Sequence, residues 1–297
     1  MALRDLGLLL LICLTWAGNS IISKLMVSHF NCPPLFYTAV RFLIVTLAMS
    51  PWLLPAPKPV WRMIVVGLCM GAGTFGLTFV GLKTTSPSAM AVIGQLGVPM
   101  STLLSILMLG ERIRWRRGIG ILLTLIGAIL VMWNGATFAP SIGMWFIAAS
   151  TFTGALGGVM MKQIEDVSPL RLQAWVGFSS LAPLVVLSAV TETGQGAILA
   201  TAFWPFLWAV LFSGLVVSVI AHTQFYGLIQ KYDVNLLQPL TLLSPLATIA
   251  LGVAITHDPF GPRMALGAAI ALVGALIIAL RRNHVMAPWL FMRGRIP

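Results

Sequence analysis

Apolar runs of about 20 residues, the length of a helix that crosses hydrocarbon, follow one another along this chain. Only short clusters of Arg, Lys, Pro and Gly separate them. A soluble globule could not hide that many apolar side chains. Of the 297 residues 59% are hydrophobic and 8% charged, against about 25% charged in an ordinary soluble domain. Mean hydropathy is +0.98. The spacing predicts an all-α polytopic membrane protein with ten transmembrane helices near 6–28, 34–54, 61–83, 86–109, 116–134, 141–163, 169–190, 203–230, 234–256 and 263–281. The first run follows Arg4 like a signal peptide. It lacks an Ala-x-Ala-like cleavage site and continues into Asn19-Ser20-Ile21-Ile22, so it reads as an uncleaved helix.

The net charge of +11 is not a nucleic-acid footprint, because the basic residues sit between spans. With the N-terminus in the cytoplasm, that side holds Arg4, Lys58, Arg62, Arg112, Arg114, Arg116, Arg117, Lys162, Arg171, Lys231, Arg281, Arg282, Arg293 and Arg295. The outer side holds Lys24, Lys83 and Arg263, while Arg41 falls inside the second helix. This asymmetry predicts a multi-pass protein of the plasma (inner) membrane with both termini cytoplasmic. Residues 282–297, with Trp289, Phe291, Arg293 and Arg295, read as a basic and aromatic tail, interfacial or disordered.

The halves 1–134 and 141–281 overlay. Phe79-Val80-Gly81-Leu82 matches Phe225-Tyr226-Gly227-Leu228 at an offset of 146, which puts Pro99 on Pro245. One residue further in offset, Gly120 falls on Gly267 and Ile126-Gly127-Ala128 on Val273-Gly274-Ala275. Earlier, Pro34-Leu35 aligns with Pro169-Leu170. Five spans per repeat is an odd number, so the second repeat enters from the opposite side. Inverted repeats are the architecture of secondary transporters, whose sites lie at the repeat interface near the midplane.

Pro99 through Leu109-Gly110-Glu111-Arg112, then Trp115, Gly118, Gly120 and Ile126-Gly127-Ala128, resembles the EamA domain of the drug/metabolite transporter superfamily. So do Trp16-Ala17-Gly18-Asn19 and Arg41-Phe42. The resemblance implies two inverted five-helix EamA-like repeats and a small-solute exporter, near the aromatic amino-acid exporters. The second half departs from the pattern: Thr256-His257 stands against Gly110-Glu111, and Val176 against Arg41.

All seven acidic residues fall at helix ends or in connectors. Without a midplane carboxylate, uniport or exchange is expected over obligate proton coupling. His222, which titrates near neutrality, is the basis of the alternative, a proton-coupled efflux pump. Polar residues inside the spans are either helix–helix bonds or solute contacts. The candidate solute-binding set is Trp16, Asn19, Thr74, Phe75, Thr78, Phe79, Gln95, His222, Gln224, Tyr226, Thr241 and Ser244. Amides offer donor and acceptor to a zwitterion, and the aromatics suit an apolar or planar portion. Pro99, Pro245 and Gly94 are candidate hinges. Arg41 lies roughly 10 Å from the outer helix end. It either snorkels outward or meets a structural partner or a substrate carboxylate.

Cys13, Cys32 and Cys69 form no disulfide framework or metal spacing. No Ser–His pair, paired acids or ligand cluster inside the spans suggests an enzyme, and no cofactor is expected. The partners expected are a small-molecule solute and the lipid bilayer. Nothing calls for nucleic acid or an obligate protein partner, so a monomer suffices.

Overall fold

A computed structural model describes residues 1–110, 115–133, 140–164, 167–232 and 234–279, except the side chains of 116, 117, 226, 229, 230, 234–236 and 238. The tail 282–297 and the turn at Glu111 lie outside the described residues. The chain forms α1 Leu3–His29, α2 Pro34–Trp52, α3 Val60–Leu82, α4 Pro87–Leu109, α5 Trp115–Met132, α6 Ile142–Met161 and α7 Pro169–Thr191. Three more follow. α8 is built from Phe203–Leu211, Phe212–Ala221 and His222–Lys231, α9 from Val234–Thr241 and Leu243–Ile255, and α10 is Pro262–Ala279. Among the described residues, eight helices are long and apolar enough to cross a membrane, and the apolar stretches Gly118–Met132 and Pro239–Ile255 are shorter. The stretch after α7, expected as a connector, contains a short helix, Gln195–Thr201. Gln195 explains it, since its Nε2 donates to the Ser188 and Glu192 carbonyls at 3.0 Å and ties the turn to the end of α7.

The helices run back and forth. On the N-terminal side, the Ala2 N–H donates to the Tyr232 hydroxyl beyond α8, and the Trp175 indole of α7 donates to the Leu53 carbonyl after α2. On the far side, Lys24 of α1 reaches the Leu82 and Thr85 carbonyls at 2.7 and 3.1 Å. Large apolar side chains remain exposed on the outer faces, among them Leu107 at 81% and Val190 at 79%. In water they would be a liability; against lipid tails they are matched.

The two halves are related by a two-fold axis that glycines make visible. A Cβ on Gly127 would lie 2.5 Å from the Gly267 carbonyl, and one on Gly120 would lie 2.8 Å from that of Gly274. The contacts are reciprocal, and the repeat alignment pairs Gly120 with Gly267 and Gly127 with Gly274. Residue i of one repeat therefore meets residue j of the other, while j meets i, which is the mark of a two-fold contact. Glycine at all four positions lets the backbones of α5 and α10 approach to contact. Elsewhere the repeats interleave: α1 packs on α9 as α6 packs on α4, and α2 packs on α7.

Two carboxylates hold the far side. Glu192 accepts the N–H groups of Leu35 and Phe36 at 2.8 and 2.9 Å, at the start of α2. Asp258 accepts the Ser88 N–H at 2.8 Å and its hydroxyl at 2.5 Å, at the start of α4. Both meet donors left over by the first helical turn, where negative charge is also favoured by the dipole. The structure also adjusts the repeat alignment. Gly110 and His257 share the left-handed backbone conformation that ends α4 and α9, with φ of 67° and 52°. Gly110-Glu111 thus pairs with His257-Asp258, so the acid is shifted by one residue and not lost.

Asp258→Ala would leave the Ser88 N–H without its acceptor at a position only 7% exposed. A buried donor left unmatched costs about 1–3 kcal/mol, so a melting temperature lower by about 5 °C is expected. Asp258→Asn, which keeps one oxygen acceptor, should lose less. Equal melting curves for wild type and both variants would contradict this role.

Candidate functional site

α3 and α8 occupy equivalent places in the repeats, and both leave the α-helical register at mid-height. Cys69–Gly76 and Phe212–Ala221 are π-helical. Each wide turn is stitched by side chains reaching back five residues. The Thr74 hydroxyl donates to the Cys69 carbonyl at 2.8 Å, and His222 Nδ1 lies 2.7 Å from that of Val217. A carbonyl only accepts, so this contact puts the His222 proton on Nδ1. Such π stretches are often found at functional sites.

α4 and α9 are interrupted at matching positions too. A 3₁₀ turn at Gly94–Leu96 breaks α4, and a turn at Leu242 breaks α9. Pro99 and Pro245 follow each break. Lacking N–H groups, they cannot donate to the carbonyls of Gln95 and Thr241 four residues back. The discontinuity expected from these prolines and Gly94 therefore lies just N-terminal to each proline.

These irregular segments surround a cavity of about 430 Å³. α1 supplies Trp16 and Ser20, α3 supplies Thr74 and Thr78, and α4 supplies Gly94 and Gln95. α6 adds Ser150, Thr151 and Gly154, and α9 adds Ser244, Pro245 and Thr248. A narrower arm of about 150 Å³ shares Trp16, Ser20 and Thr78, and continues past Asn19, Phe75, Phe79 and His222. Both repeats contribute to both parts.

The hydroxyls of the wide part are oriented by their own helices. Ser20 donates to the Trp16 carbonyl at 3.1 Å, Thr151 to Ile147 at 2.8 Å and Thr248 to Ser244 at 2.9 Å. With their protons committed to backbone, these side chains present lone pairs to the cavity. The narrow arm is aromatic. Trp16 lies 5.3 Å from the His222 ring and 5.0 Å from Phe225, and Phe75 lies 6.2 Å from both His222 and Phe79. The Trp16 indole N–H is buried there without an acceptor. Asn19 accepts the Ser213 hydroxyl at 2.5 Å, which also contacts the Tyr37 hydroxyl at 2.8 Å, and this joins α1, α2 and α8 beneath the arm.

Of the sequence-derived residues, Trp16, Asn19, Thr74, Phe75, Thr78, Phe79, Gln95, His222 and Ser244 line the two parts. Gln224 and Thr241 line neither, and Gln224 is exposed. Gln224 is two residues past His222, about 200° around the helix, so the two cannot face one cavity. The side chain of Tyr226 lies outside the described residues. Ser20, Ser150 and Thr151 were missed, because a lone hydroxyl in a span usually signals helix packing. Their common signal is only in three dimensions.

Arg41 does not snorkel outward. It is 0% exposed. Its Nε and Nη2 donate to the Ser218 hydroxyl at 3.0 and 2.9 Å, and its guanidinium stands 4.1 Å from the Phe75 ring centre.

Residues 5–133 and 141–280 each match the EamA-like transporter family. Over 287 residues, 93% of this chain and 95% of the relative, the sequence is 24% identical to a probable amino-acid metabolite efflux pump of Salmonella typhimurium. A protein of the same description in Escherichia coli is 23% identical over the same coverage. An uncharacterized transporter of Bacillus subtilis is 25% identical over 220 residues, covering 72% of this chain and 71% of that one. A solved crystal structure has the same fold, with a TM-score of 0.62 and 21% identity over 92% of this chain and 94% of its own. With family matches over both repeats, an interleaved inverted architecture and apolar outer faces, the chain belongs to the EamA-like transporter family and is a multi-pass membrane transporter.

Proposed function

We propose that this protein exports zwitterionic amino acids and related small metabolites, those with aromatic or large apolar side chains first, by alternating access around the central cavity. The observation that carries the reading is the division of that cavity. Its wide part offers hydroxyl lone pairs, which suit an ammonium group, and its narrow arm offers aromatic faces and an unmatched indole donor. The Salmonella and Escherichia relatives, each a probable amino-acid metabolite efflux pump, support an amino-acid metabolite leaving the cell. The basic residues gathered on the N-terminal side support an inner-membrane protein with both termini in the cytoplasm.

The transport mode is uniport or exchange. The described carboxylates Asp5, Glu192 and Asp258 all lie at helix ends, committed to Lys231, α2 and α4. The imidazole on the wall of the narrow arm is that of His222, its Nδ1 held at the Val217 carbonyl.

Proteoliposomes containing the purified chain test this directly. Internal unlabelled phenylalanine is expected to accelerate entry of labelled phenylalanine, saturably and without response to a pH gradient. Failure of every amino acid to move would sink the reading. Accumulation driven by a pH gradient, and abolished in His222→Gln, would replace it with proton-coupled efflux.

A further inference from the structure

Arg41 is a buried cation that no described carboxylate neutralises. Nε and Nη2 share a single hydroxyl, that of Ser218, which passes its own proton to the Ser213 carbonyl at 2.9 Å. Nη1 is buried with no acceptor. Three ring faces also surround it: Phe75 at 4.1 Å, Phe79 at 5.7 Å and Phe42 at 5.8 Å from the guanidinium carbon. Among the described residues no carboxylate pairs with it. Rings and one hydroxyl do not replace the water lost by a buried charge, whose removal from solvent costs several kcal/mol. A methionine would fill this space without that penalty. The guanidinium makes physical sense if a negative group visits it.

Two further observations say where that group comes from. Phe75 and Phe79, which cover the guanidinium, also line the narrow arm of the cavity. The indole N–H of Trp16, on the wall of the same arm, is also buried without an acceptor. Two unmatched donors beside one aromatic arm fit an oxyanion, and a guanidinium fork fits a planar carboxylate best. Phe75 sits in the π stretch Cys69–Gly76. Loss of the extra residue from such a stretch turns the neighbouring side chain by about 100°, enough to move the ring off the guanidinium.

We propose that Arg41 is the carboxylate anchor of the translocation site, with Phe75 as the shutter that covers it when no solute is bound. The inference rests on the reading of the cavity as the solute site. It goes beyond that reading by requiring a carboxylate and by fixing which end of the solute enters the narrow arm. The second repeat has Val176 at the matching position, so the anchor is single and the solute binds in one orientation.

The test uses the full purified chain and a matched pair of probes, 3-phenylpropanoate and 3-phenylpropanamide, which share shape and differ in charge. The acid is expected to bind about tenfold or more tighter than the amide, the range of a charge-assisted pair. Arg41→Met should abolish that preference while remaining folded, because the charge it removes has no partner to strand. Arg41→Lys should retain part of it. Phe75→Ala, which uncovers the guanidinium, should strengthen acid binding and leave the amide unchanged, so the proposal stays testable even if Arg41→Met fails to fold. Equal binding of acid and amide to wild type, or an acid preference that survives in Arg41→Met, overturns the proposal. If phenylalanine is still transported in that case, the exporter reading stands and only the anchor is wrong. If no amino acid moves and neither probe binds, both fall.

Discussion

Gly127→Val is expected to lower the melting temperature by about 10 °C and to eliminate transport, whereas Gly118→Ala should leave both unchanged or slightly improved. The two glycines lie on one helix and differ in what surrounds them. A Cβ on Gly127 would stand 2.4 Å from the Ala271 nitrogen and 2.5 Å from the Gly267 oxygen. These are backbone atoms that no rotamer change can move, so α5 and α10 must separate. Overpacking of this kind costs about 1–3 kcal/mol or more, and about 2–4 °C accompanies each kcal/mol in chains of 150–250 residues. Gly118 has nothing within 4 Å, and alanine there gains helix propensity, about 1 kcal/mol at most. Thermal unfolding of the three proteins in one detergent decides the matter. Equal curves for Gly127→Val and wild type would mean that α5 and α10 do not touch.

The second large effect is expected at the paired breaks. The double variant Pro99→Ala/Pro245→Ala should bind solute nearly as well as wild type but transport it at least about tenfold more slowly. Alanine restores two backbone donors, each able to close a bond worth about 1 kcal/mol, toward Gln95 and Thr241. It also removes the ring that keeps a helix from straightening, which costs about 3 kcal/mol in a regular helix. Straight, continuous α4 and α9 are stiffer, so the variant should melt later while its cycle slows. About 1.4 kcal/mol on the limiting barrier is a factor of ten. Single variants should fall between. Counterflow and binding measured on the same preparations separate the effects, and a double variant that transports at the wild-type rate would show that the breaks are passive.

Much of this fold was legible from residue order. Run length and charge asymmetry are one-dimensional properties, and lipid exposure makes them nearly sufficient. The two-fold relation was legible as well, since Gly120, Gly127, Gly267 and Gly274 keep their spacing even where surrounding residues change. The site was less so. His222 and Gln224 look like one polar cluster in sequence, yet the widened turns of Phe212–Ala221 set which of them faces α1. Asp258 reads as an acid in a loop, and its work at the start of α4 depends on a chain approach across 170 residues. The one-residue slip between Gly110-Glu111 and His257-Asp258 has a similar origin, because backbone conformation, not identity, marks the equivalence. Arg41 could be located but not interpreted, since whether a long side chain bends outward or stays inside depends on the space beside Ser218 and Phe75.

The glycine contact between α5 and α10 has a thermodynamic consequence. Suppose the transporter's two end states are images of each other, with each repeat adopting the conformation its partner held before. A contact that maps onto itself under that exchange has the same energy in both states. It cancels from the equilibrium constant between them and contributes only to the stability of the whole. The resting preference for one side of the membrane must then be set by residues that break the symmetry: Arg41 against Val176, Gly110 against His257. On that view the mutations most damaging to the protein, at Gly127 and its partners, carry no information about sidedness. Exchanging the unmatched residues between repeats would shift the distribution of states while the scaffold stays intact.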